Sequence, residues 1–274
     1  MYRFFSIFFI LAESQRQYAT MAYIHLIKKD NYGIIQMDRD KANPMNHEFI
    51  AELRIALKNF MEDDSIKGAI INGKENFFSA GLDLPELYGY DENQFAKFWR
   101  NFMDLVCDLV AFDKPLIASI NGHSPAGGCI VAIGCDYRVM AEGNFKIGLN
   151  EIPIGIVVPR GVFDIYSYWI GRKTAYQYLM EGKLYSPAHA QEIGLVDEVV
   201  PADKVLETAE AKLKQYLQYE QNGWRLTKRQ LKHDQLKSIS SISDFEMKSF
   251  LQQWWSEPVR TIVGNFVENL KKKG

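Results

Sequence analysis

The chain has 274 residues, of which 47% are hydrophobic and 24% charged, and its formal net charge is −2. A chain of this length can bury a large core, either as one large domain or as two modest ones. Its composition is that of an ordinary globular protein, so a disordered chain is not expected. The small net charge gives no electrostatic attraction to nucleic acid. The only basic block, Lys271–Lys273, is interpreted as a solvated helix end.

The N-terminal segment differs in composition from the rest of the chain. "FFSIFFILA" (Phe4–Ala12) follows Arg3 and resembles the apolar region of a signal peptide, but it is too short to span a bilayer. No small-residue cleavage site follows it, and Glu13 and Arg16 come directly after. We interpret residues 1–21 as an extension or weak leader outside the fold, and we expect no membrane span.

The next part of the chain alternates between strand and helix patterns. Short β-branched and aromatic runs predict strands, and apolar residues three or four apart predict helices. In chain order these elements are a hairpin over Tyr23–Lys28 and Gly33–Asp38, a helix within "NHEFIAELRIALKNFMED", a strand over Gly68–Gly73, a helix over Phe95–Phe112 and a strand over Lys114–Gly122. This alternation predicts an α/β fold with parallel strands.

The C-terminal part of the chain shows mainly helical periodicity. Helices are predicted over Tyr166–Ile170, Thr174–Met180, Pro187–Ile193 and Val205–Tyr219. From Trp224 onward the apolar positions of the helical pattern are Leu226, Leu231, Phe245, Phe250, Leu251, Trp254, Trp255, Phe266 and Leu270. Periodicity alone allows these positions to be core or an oligomer interface.

Two glycine-containing loops follow predicted buried strands, where ligands bind in α/β proteins. They are "NFFSAGLDL" (Asn76–Leu84) and "INGHSPAGGCIVAIGCDYR" (Ile120–Arg138). In the second, Gly127 and Gly128 precede a predicted helix over Cys129–Ile133, so one of their N–H groups is an unpaired donor at a helix N-terminus. Three interpretations stay open: a phosphate loop, which lacks the P-loop lysine, a tight packing point, or half of an oxyanion hole.

One carboxylate, Glu151, lies in the apolar segment "IGLNEIPIGIVVP" (Ile147–Pro159). A buried, unpaired carboxylate costs several kcal/mol or raises its pKa until it is neutral. Taken alone, Glu151 is either a structural or solvated loop residue, or a group that a reaction uses.

The three cysteines, Cys107, Cys129 and Cys135, are odd in number and lack metal-type spacing. They lie in apolar stretches, where free thiols act as small hydrophobic groups. The cysteines therefore favour a reducing compartment, and no metal cluster is expected.

Three segments follow one another in a characteristic order and spacing: "FSAGLDL", "SINGHSPAGGCIVAIGCDYRVM" and "IGLNEIPIGI". Together they resemble the crotonase (enoyl-CoA hydratase/isomerase) superfamily. "GLNE" together with "PAGGC" is similar in particular to the mitochondrial-type Δ3,Δ2-enoyl-CoA isomerases. The resemblance runs from about residue 22 to the C-terminus and includes Gly171–Pro201; its combination of motifs is specific, whereas a single motif is not.

The resemblance implies an acyl-CoA thioester as the substrate. It implies that the backbone N–H groups of Leu82 and Gly127 form the oxyanion hole for the enolate oxygen. The substrate- and CoA-binding residues that it implies are Ser79, Ala80, Gly81, Asp83, Ala42 and Asn150. The Ala80 carbonyl and Ala42 are expected near the adenine, and Asn150 is expected to contact the thioester region or to orient Glu151.

The resemblance also implies that Glu151 is the catalytic acid–base group. Hydratases of the superfamily carry a second glutamate directly after the cysteine of the glycine loop, where this chain has Ile130. Because isoleucine cannot orient water, the expected reaction is the single-base isomerisation of a 3-enoyl-CoA to a 2-trans-enoyl-CoA in fatty-acid β-oxidation. A hydratase-like enzyme on another CoA thioester and a non-catalytic acyl-CoA-binding protein remain alternatives.

We expect an apolar surround to exclude water from Glu151 and to raise its pKa. The residues assigned to this surround are Ile130, Ile152, Ile154 and Ile156. Other polar residues of the loops are interpreted as structural: His123 as a loop donor, Asp83 and Glu86 as capping or solvated groups, and Asp136 as a partner of a backbone or basic group.

The implied fold is an α/β crotonase-like spiral of β-β-α units with a C-terminal helical trimerisation region. Residues 22–200 are expected to form the spiral core with the acyl-CoA site, and residues 201–274 the helical region. The resemblance implies a homotrimer and no cofactor, since CoA is part of the substrate. The expected location is cytoplasmic, with the mitochondrial matrix as the alternative if residues 1–21 are a leader.

Overall fold

The computed structural model describes residues 21–241 and 243–272, so the predicted leader, Met21 apart, lies outside the described residues. The described strands are β1 (Ile24–Lys28), β2 (Gly33–Met37), β3 (Ala69–Asn72), β4 (Asn76–Phe77), β5 (Leu116–Ile120), β6 (Gly122–Pro125), β7 (Tyr137–Ala141), β8 (Ile147–Gly148) and β9 (Glu198–Val200). The described α-helices are α1 (His47–Glu62), α2 (Leu84–Tyr88), α3 (Glu92–Ala111), α4 (Gly127–Gly134), α5 (Arg160–Ile170), α6 (Arg172–Glu181), α7 (Pro187–Glu192), α8 (Val205–Leu217), α9 (Gln221–Ser240), α10 (Asp244–Trp254) and α11 (Glu257–Lys271). Short 3₁₀ turns lie at Ile152–Ile154 and Ala202–Lys204.

The larger sheet has the strand order β1-β2-β3-β5-β7-β9. The predicted hairpin is confirmed, because β1 and β2 pair antiparallel, and every other neighbouring pair in this sheet is parallel. All residues of β3 and β5 are buried, as expected for parallel strands covered on both faces. The predicted α/β architecture with parallel strands is therefore confirmed.

A second sheet, in the order β4-β6-β8, was not predicted as strands. Each of its short strands continues the chain just beyond a strand of the larger sheet, and the neighbours pair in parallel. Parallel neighbours end at the same edge, so the segments that follow β4, β6 and β8 emerge side by side. This arrangement brings the two glycine loops and the Glu151 segment together.

Side-chain caps fix the start of the helices that frame this edge. The Asn46 side-chain oxygen Oδ1 accepts a hydrogen bond from the Phe49 amide at 2.9 Å and begins α1. Asp83 caps α2 by accepting from the Glu86 amide at 3.1 Å, which confirms the capping interpretation for Asp83. Asp91 begins α3 with a reciprocal capping box.

The C-terminal helices pack on the preceding part of the chain. Val205, Ala209 and Leu213 of α8 join a core cluster with residues of β2, β3, β5 and β7. The ring of Trp254 in α10 stacks on Phe95 of α3 with centroids 4.2 Å apart. For Trp254, which is 3% exposed, the interpretation as core is confirmed.

Helix α9 corrects one part of the predicted pattern. Leu226 and Leu231 were assigned as apolar positions of this helix, but they are 50% and 61% exposed. The buried face of α9 instead carries Lys228, whose ammonium group donates to the Asp136 carboxylate at 2.6 Å and to the Lys114 carbonyl at 2.9 Å. A buried ion pair has no hydrophobic periodicity, so the sequence pattern did not indicate this face. Leu226 and Leu231 are not core positions of this chain, and their interpretation as an oligomer interface stays a prediction.

Within the residues described here, no helix combines the length and the apolar composition needed to cross a bilayer.

Candidate active site

Glu151 lies between β8 and the 3₁₀ turn at Ile152–Ile154, where it faces a cavity of about 440 Å³. Its side chain is 7% exposed, and one carboxylate oxygen is buried without a hydrogen-bond partner among the described residues. Burial raises the pKa of Glu151 to about 7, against the opposing effect of the backbone N–H groups of Glu151 and Asn150. A carboxyl group with this pKa can both accept and release a proton near neutral pH.

Leu82 and Gly127, whose backbone N–H groups are the predicted oxyanion donors, line the same cavity. The Met45 amide donates to the Gly81 carbonyl at 2.8 Å, and the Asp83 amide donates to the Met45 carbonyl at 3.0 Å. These two bonds form a parallel bridge between Met45 and Leu82 in which the Leu82 N–H takes no part. Gly127 is the first residue of α4, so its N–H has no acceptor one turn earlier in the helix.

The two loops approach closely because both carry glycine at the point of contact. A Cβ atom on Gly81 would lie 3.1 Å from the Gly127 nitrogen, and one on Gly127 would lie 3.5 Å from the Leu82 nitrogen. The Leu82 and Gly127 amides are therefore neighbours, and both residues line the cavity that Glu151 faces. Such a pair of donors can stabilise an oxygen that gains negative charge.

The first loop is fastened to the segment between β2 and α1. The Ala80 amide donates to the Ala42 carbonyl at 2.8 Å, and the Ser79 hydroxyl donates to the Asn43 carbonyl at 2.7 Å. The same hydroxyl accepts a hydrogen bond from the Gly81 amide at 3.1 Å. Ala42 and Ala80 line the cavity, whereas Ser79 is fully buried and supports the loop from behind.

Asp83 continues this support with an ion pair. Its carboxylate accepts a hydrogen bond from the Arg39 guanidinium group at 2.7 Å, and Arg39 also donates to the Pro44 carbonyl at 2.6 Å and to Glu86 at 3.1 Å. Arg39 is 7% exposed. Sequence reasoning missed Arg39, because Asp83 and Glu86, the carboxylates to which it donates, lie more than forty positions away in the chain.

The wall of the cavity is largely apolar, but one predicted member is wrong. Ile130, Ile154 and Ile156 line the cavity as expected. Ile152 does not line it and is 38% exposed, because the 3₁₀ turn that begins at this residue directs it to solvent.

Helix α11 supplies two wall residues that the sequence did not indicate. Phe266 and Leu270 line the same cavity as Glu151, although they are more than one hundred positions away in the chain. The helix is held there by Arg260, whose guanidinium group stacks on the Tyr88 ring at 3.7 Å and donates to the Tyr88 carbonyl at 2.8 Å.

Of the remaining predicted polar residues, Asn150 lines the cavity, whereas His123 and Asp136 do not. Asn150 lines the cavity, and its side-chain oxygen has no partner within the described part of the chain. His123 lies in strand β6 and outside the cavity, and its Nδ1 accepts a hydrogen bond from the Lys146 amide at 3.2 Å, so the interpretation of His123 as a loop donor is wrong. Asp136 accepts from the Leu116 amide at 2.8 Å and from Lys228, which confirms its interpretation as a structural partner.

Comparison with known proteins gives a consistent family. The family model for Enoyl-CoA hydratase/isomerase matches residues 28–273. "Enoyl-CoA delta isomerase 1, mitochondrial" from Mus musculus is 34% identical over 88% of this chain and 84% of its own length. "Probable enoyl-CoA hydratase, mitochondrial" from Dictyostelium discoideum is 27% identical over 88% of this chain and 86% of its own length.

A solved structure agrees with this result. The crystal structure of human mitochondrial delta3-delta2-enoyl-CoA isomerase is similar with a TM-score of 0.89 and 30% identity, and the match covers 92% of this chain and 99% of that one. It extends over the spiral core and the C-terminal helices, so the predicted crotonase fold is confirmed. The chain therefore belongs to the enoyl-CoA hydratase/isomerase family of enzymes.

Proposed function

We propose that this enzyme is a Δ3,Δ2-enoyl-CoA isomerase of fatty-acid β-oxidation, with Glu151 as its single acid–base group. One observation carries the proposal: among the described residues that line the cavity, Glu151 and Asp83 are the only acids, and Asp83 is already paired with Arg39. Glu151 alone is left to exchange a proton with a substrate. The relatives named as delta isomerases, at 34% and 31% identity, support the same reaction.

In the proposed mechanism, the Glu151 carboxylate removes a proton from C2 of a 3-enoyl-CoA. The electron pair of the broken C–H bond moves into the thioester carbonyl, and the Leu82 and Gly127 N–H groups donate to the resulting oxyanion. One such donor lowers the barrier by about 3 kcal/mol. The electrons then return, the C3=C4 double bond moves to C2=C3, and Glu151 delivers the proton to C4.

The apolar wall supports isomerisation over addition of water. Ile130 lies in the first turn of α4 and faces the same cavity as Glu151, so the chain offers no second carboxylate there to hold a water molecule. Excluding water also strengthens the hydrogen bonds to the oxyanion. Because the reaction is a proton transfer with no net oxidation, we propose that it needs no cofactor, and CoA stays part of the substrate and product.

The proposed CoA contacts follow the first loop. Ala80 is exposed and lines the cavity beside Ala42, which suits a carbonyl that faces the adenine end of CoA. Asp83 and Asn150 also line the cavity, and Ser79 and Gly81 act by holding the loop. These roles are part of the proposal.

The test is to supply the purified enzyme with 3-trans-hexenoyl-CoA and to follow formation of the conjugated thioester. Glu151→Gln is expected to lose at least ~100-fold in kcat. Glu142→Gln, the same change at an exposed position, is the matched control and is expected to keep full activity. Full activity of Glu151→Gln would exclude Glu151 as the base.

A labelled substrate tests the single-base step directly. With deuterium at C2 and ordinary water as the solvent, one shielded carboxyl group should carry part of the label from C2 to C4 of the product. If C4 carries only solvent hydrogen, the one-base transfer loses its support.

Hydration is the second candidate, because the Dictyostelium relative is named a probable hydratase. Release of 3-hydroxyacyl-CoA from crotonyl-CoA at a rate equal to isomerisation would favour it. A protein that binds acyl-CoA by calorimetry but converts none of these substrates would instead be a binding protein.

The relatives also bear on location and assembly. Those from mouse, rat and human are named as mitochondrial, so we propose the mitochondrial matrix in place of the expected cytoplasmic location. Fractionation of cells that express the full chain tests this proposal. The homotrimer is likewise proposed, and light scattering of the purified protein tests it.

A further inference from the structure

The interface between α5 and α9 contains polar side chains that are almost fully buried. Lys232 and Gln235 lie three positions apart on α9, and therefore on one face of it, and Ser167 lies on α5, which packs against α9. These residues are 4%, 6% and 7% exposed. In the described part of the chain, the Lys232 ammonium group, both polar atoms of the Gln235 amide and the Ser167 hydroxyl have no hydrogen-bond partner. Because buried polar groups gain free energy when they are paired, a ligand that accepts hydrogen bonds is stabilised in this interface, the α5–α9 seam.

The buried charges beside the seam are unequal in number. Lys228, one turn before Lys232 on α9, forms an ion pair with the Asp136 carboxylate at 2.6 Å. Arg138 on β7 forms an ion pair with Asp197 at 2.5 Å. Lys232 has neither a hydrogen-bond nor an ion-pair partner among the residues that the structure describes. Three buried cations therefore share two carboxylates, and the remaining positive charge favours a counter-ion of charge −1.

Lys232 packs against two aromatic rings. Its Nζ lies 5.2 Å from the centroid of the Tyr168 ring and 4.9 Å from that of Trp169. Burial lowers the pKa of Lys232 to about 8; nearby Asp136 opposes this effect and Lys228 adds to it. With this pKa the amine is still largely protonated at about pH 7. Because a ring face attracts a cation more weakly than an anion does, the Lys232 charge remains available to an anion.

The seam is open to solutes on one side. Ser167 and Gln235 line a cavity of about 1100 Å³ that lies between α3, α5, α9 and α10. An anion in this cavity therefore reaches the seam without crossing the hydrophobic core. Because the seam residues are almost fully buried, only a small species fits between them.

We propose that the α5–α9 seam binds a small monovalent anion, chloride or a carboxylate, between Lys232, Gln235 and Ser167. The Lys232 ammonium group supplies the opposite charge, and the Gln235 amide NH₂ and the Ser167 hydroxyl donate hydrogen bonds to the anion. The bound anion balances the buried charge and holds α5 against α9. None of the three residues lines the cavity that Glu151 faces, so this inference does not depend on the proposed isomerase reaction.

Thermal unfolding at about pH 7 tests the proposal without any substrate. Sodium formate and, separately, sodium chloride are raised from about 1 to about 100 mM, with the ionic strength held constant by sodium gluconate, whose anion is too large for the seam. At least one of the two salts should raise the Tm of the wild type by at least about 2 °C. Lys232→Met keeps the length and the ring contacts of the side chain but not its charge, so its Tm should rise by less than about 0.5 °C. Lys237→Met is the matched control, because Lys237 is exposed on the same helix and lines the same large cavity; it should keep the wild-type rise.

A second measurement covers the case in which Lys232→Met folds poorly. Crystals of the wild type soaked in sodium bromide, a chloride substitute with anomalous scattering, or in sodium formate should show the anion at about 3 Å from Lys232 Nζ. Water alone at this position with both salts overturns the proposal. It is also overturned if neither salt raises the Tm of the wild type, or if Lys232→Met rises as much as the wild type, which would be a general effect of salt.

Discussion

Arg39 donates a hydrogen bond to Asp83 at 2.7 Å, and Asp83 directly follows Leu82, which lines the candidate active site. The pair connects the end of β2 to the start of α2. A backbone N–H group has no rotamers of its own, so its direction depends on the anchors of its loop. This ion pair is such an anchor for Leu82.

We expect Arg39→Gln to lower kcat by about 10- to 100-fold, because a displaced Leu82 N–H no longer meets the oxyanion. KM should change much less, since the acyl pocket is intact. Arg39→Lys should recover part of kcat, as an ammonium group keeps the charge but loses the forked geometry. Steady-state kinetics with 3-trans-hexenoyl-CoA measures the split.

Arg54→Gln provides the comparison, because Arg54 also holds two carboxylates, Asp104 at 3.0 Å and Asp108 at 2.6 Å, but neither of them lines the cavity that Glu151 faces. It should lower thermal stability and leave kcat unchanged. An equal loss of kcat in both arginine variants would mean that Arg39 acts through general stability alone.

The raised pKa of Glu151 predicts opposite effects of pH on activity and on stability. Burial moves this pKa from 4.5 to about 7, so kcat/KM should fall about tenfold per pH unit below pH 7 and level off above it. Between pH 4.5 and about 7 the native protein keeps a proton that the unfolded chain has released. The free energy of unfolding therefore decreases as pH rises through this window, by up to ~3 kcal/mol.

Glu151→Gln removes this ionisation and isolates its contribution. Its free energy of unfolding should exceed that of the wild type at pH 8, and the difference should shrink at pH 4. Denaturant unfolding at both pH values measures the comparison. A difference that does not depend on pH would argue against an elevated Glu151 pKa.

The sequence predicted those elements whose own residues determine their conformation. The hairpin β1-β2 and the buried strands β3 and β5 carry runs of β-branched residues, and α1 carries an apolar helical pattern with Asn46 as its cap. Strands β4 and β6 read "NF" and "GHSP", which lack such a pattern. They are strands because parallel neighbours pair with them, and single-sequence periodicity does not report such pairing.

The candidate site shows the same division between local and distant determinants. The family resemblance implied that Leu82, Gly127 and Glu151 share one site, and all three line one cavity. Phe266 of α11 and the anchor Arg39 depend on tertiary packing and carry no local signal. Ile152 was wrong for a related reason, since a turn redirects one residue of an apolar run.

Replacing Ile130 with glutamate should introduce hydration. Ile130 is 4% exposed and lines the cavity with Glu151, so a carboxylate there can share a water molecule with Glu151 and activate it. Ile130→Glu is expected to raise hydration of crotonyl-CoA at least ~10-fold over the wild type and to lower isomerisation. The two products, separated by chromatography, give both rates.

Ile130→Gln separates proton transfer from polarity. Glutamine has a similar size and can hold water, but it cannot exchange a proton. It should gain little hydration. If glutamine gains as much as glutamate, the absence of a second acid is not what limits hydration in the wild type.

Gly128 tests how closely the two loops must approach. A Cβ atom there would lie 2.5 Å from the Ser79 carbonyl oxygen, so Gly128→Ala must push α4 away from the Ser79–Asp83 loop. We expect it to cost about 1–3 kcal/mol of stability through overpacking and to lower kcat by at least ~10-fold as the Leu82 and Gly127 amides separate.

Gly171→Ala is the matched variant, because Gly171 has φ +78° but nothing within 4 Å of an added Cβ. It should lose about 1 kcal/mol from backbone strain and keep its kcat. Thermal unfolding and kinetics of both variants decide the matter: a Gly128→Ala enzyme with wild-type kcat would show that the oxyanion donors tolerate this displacement.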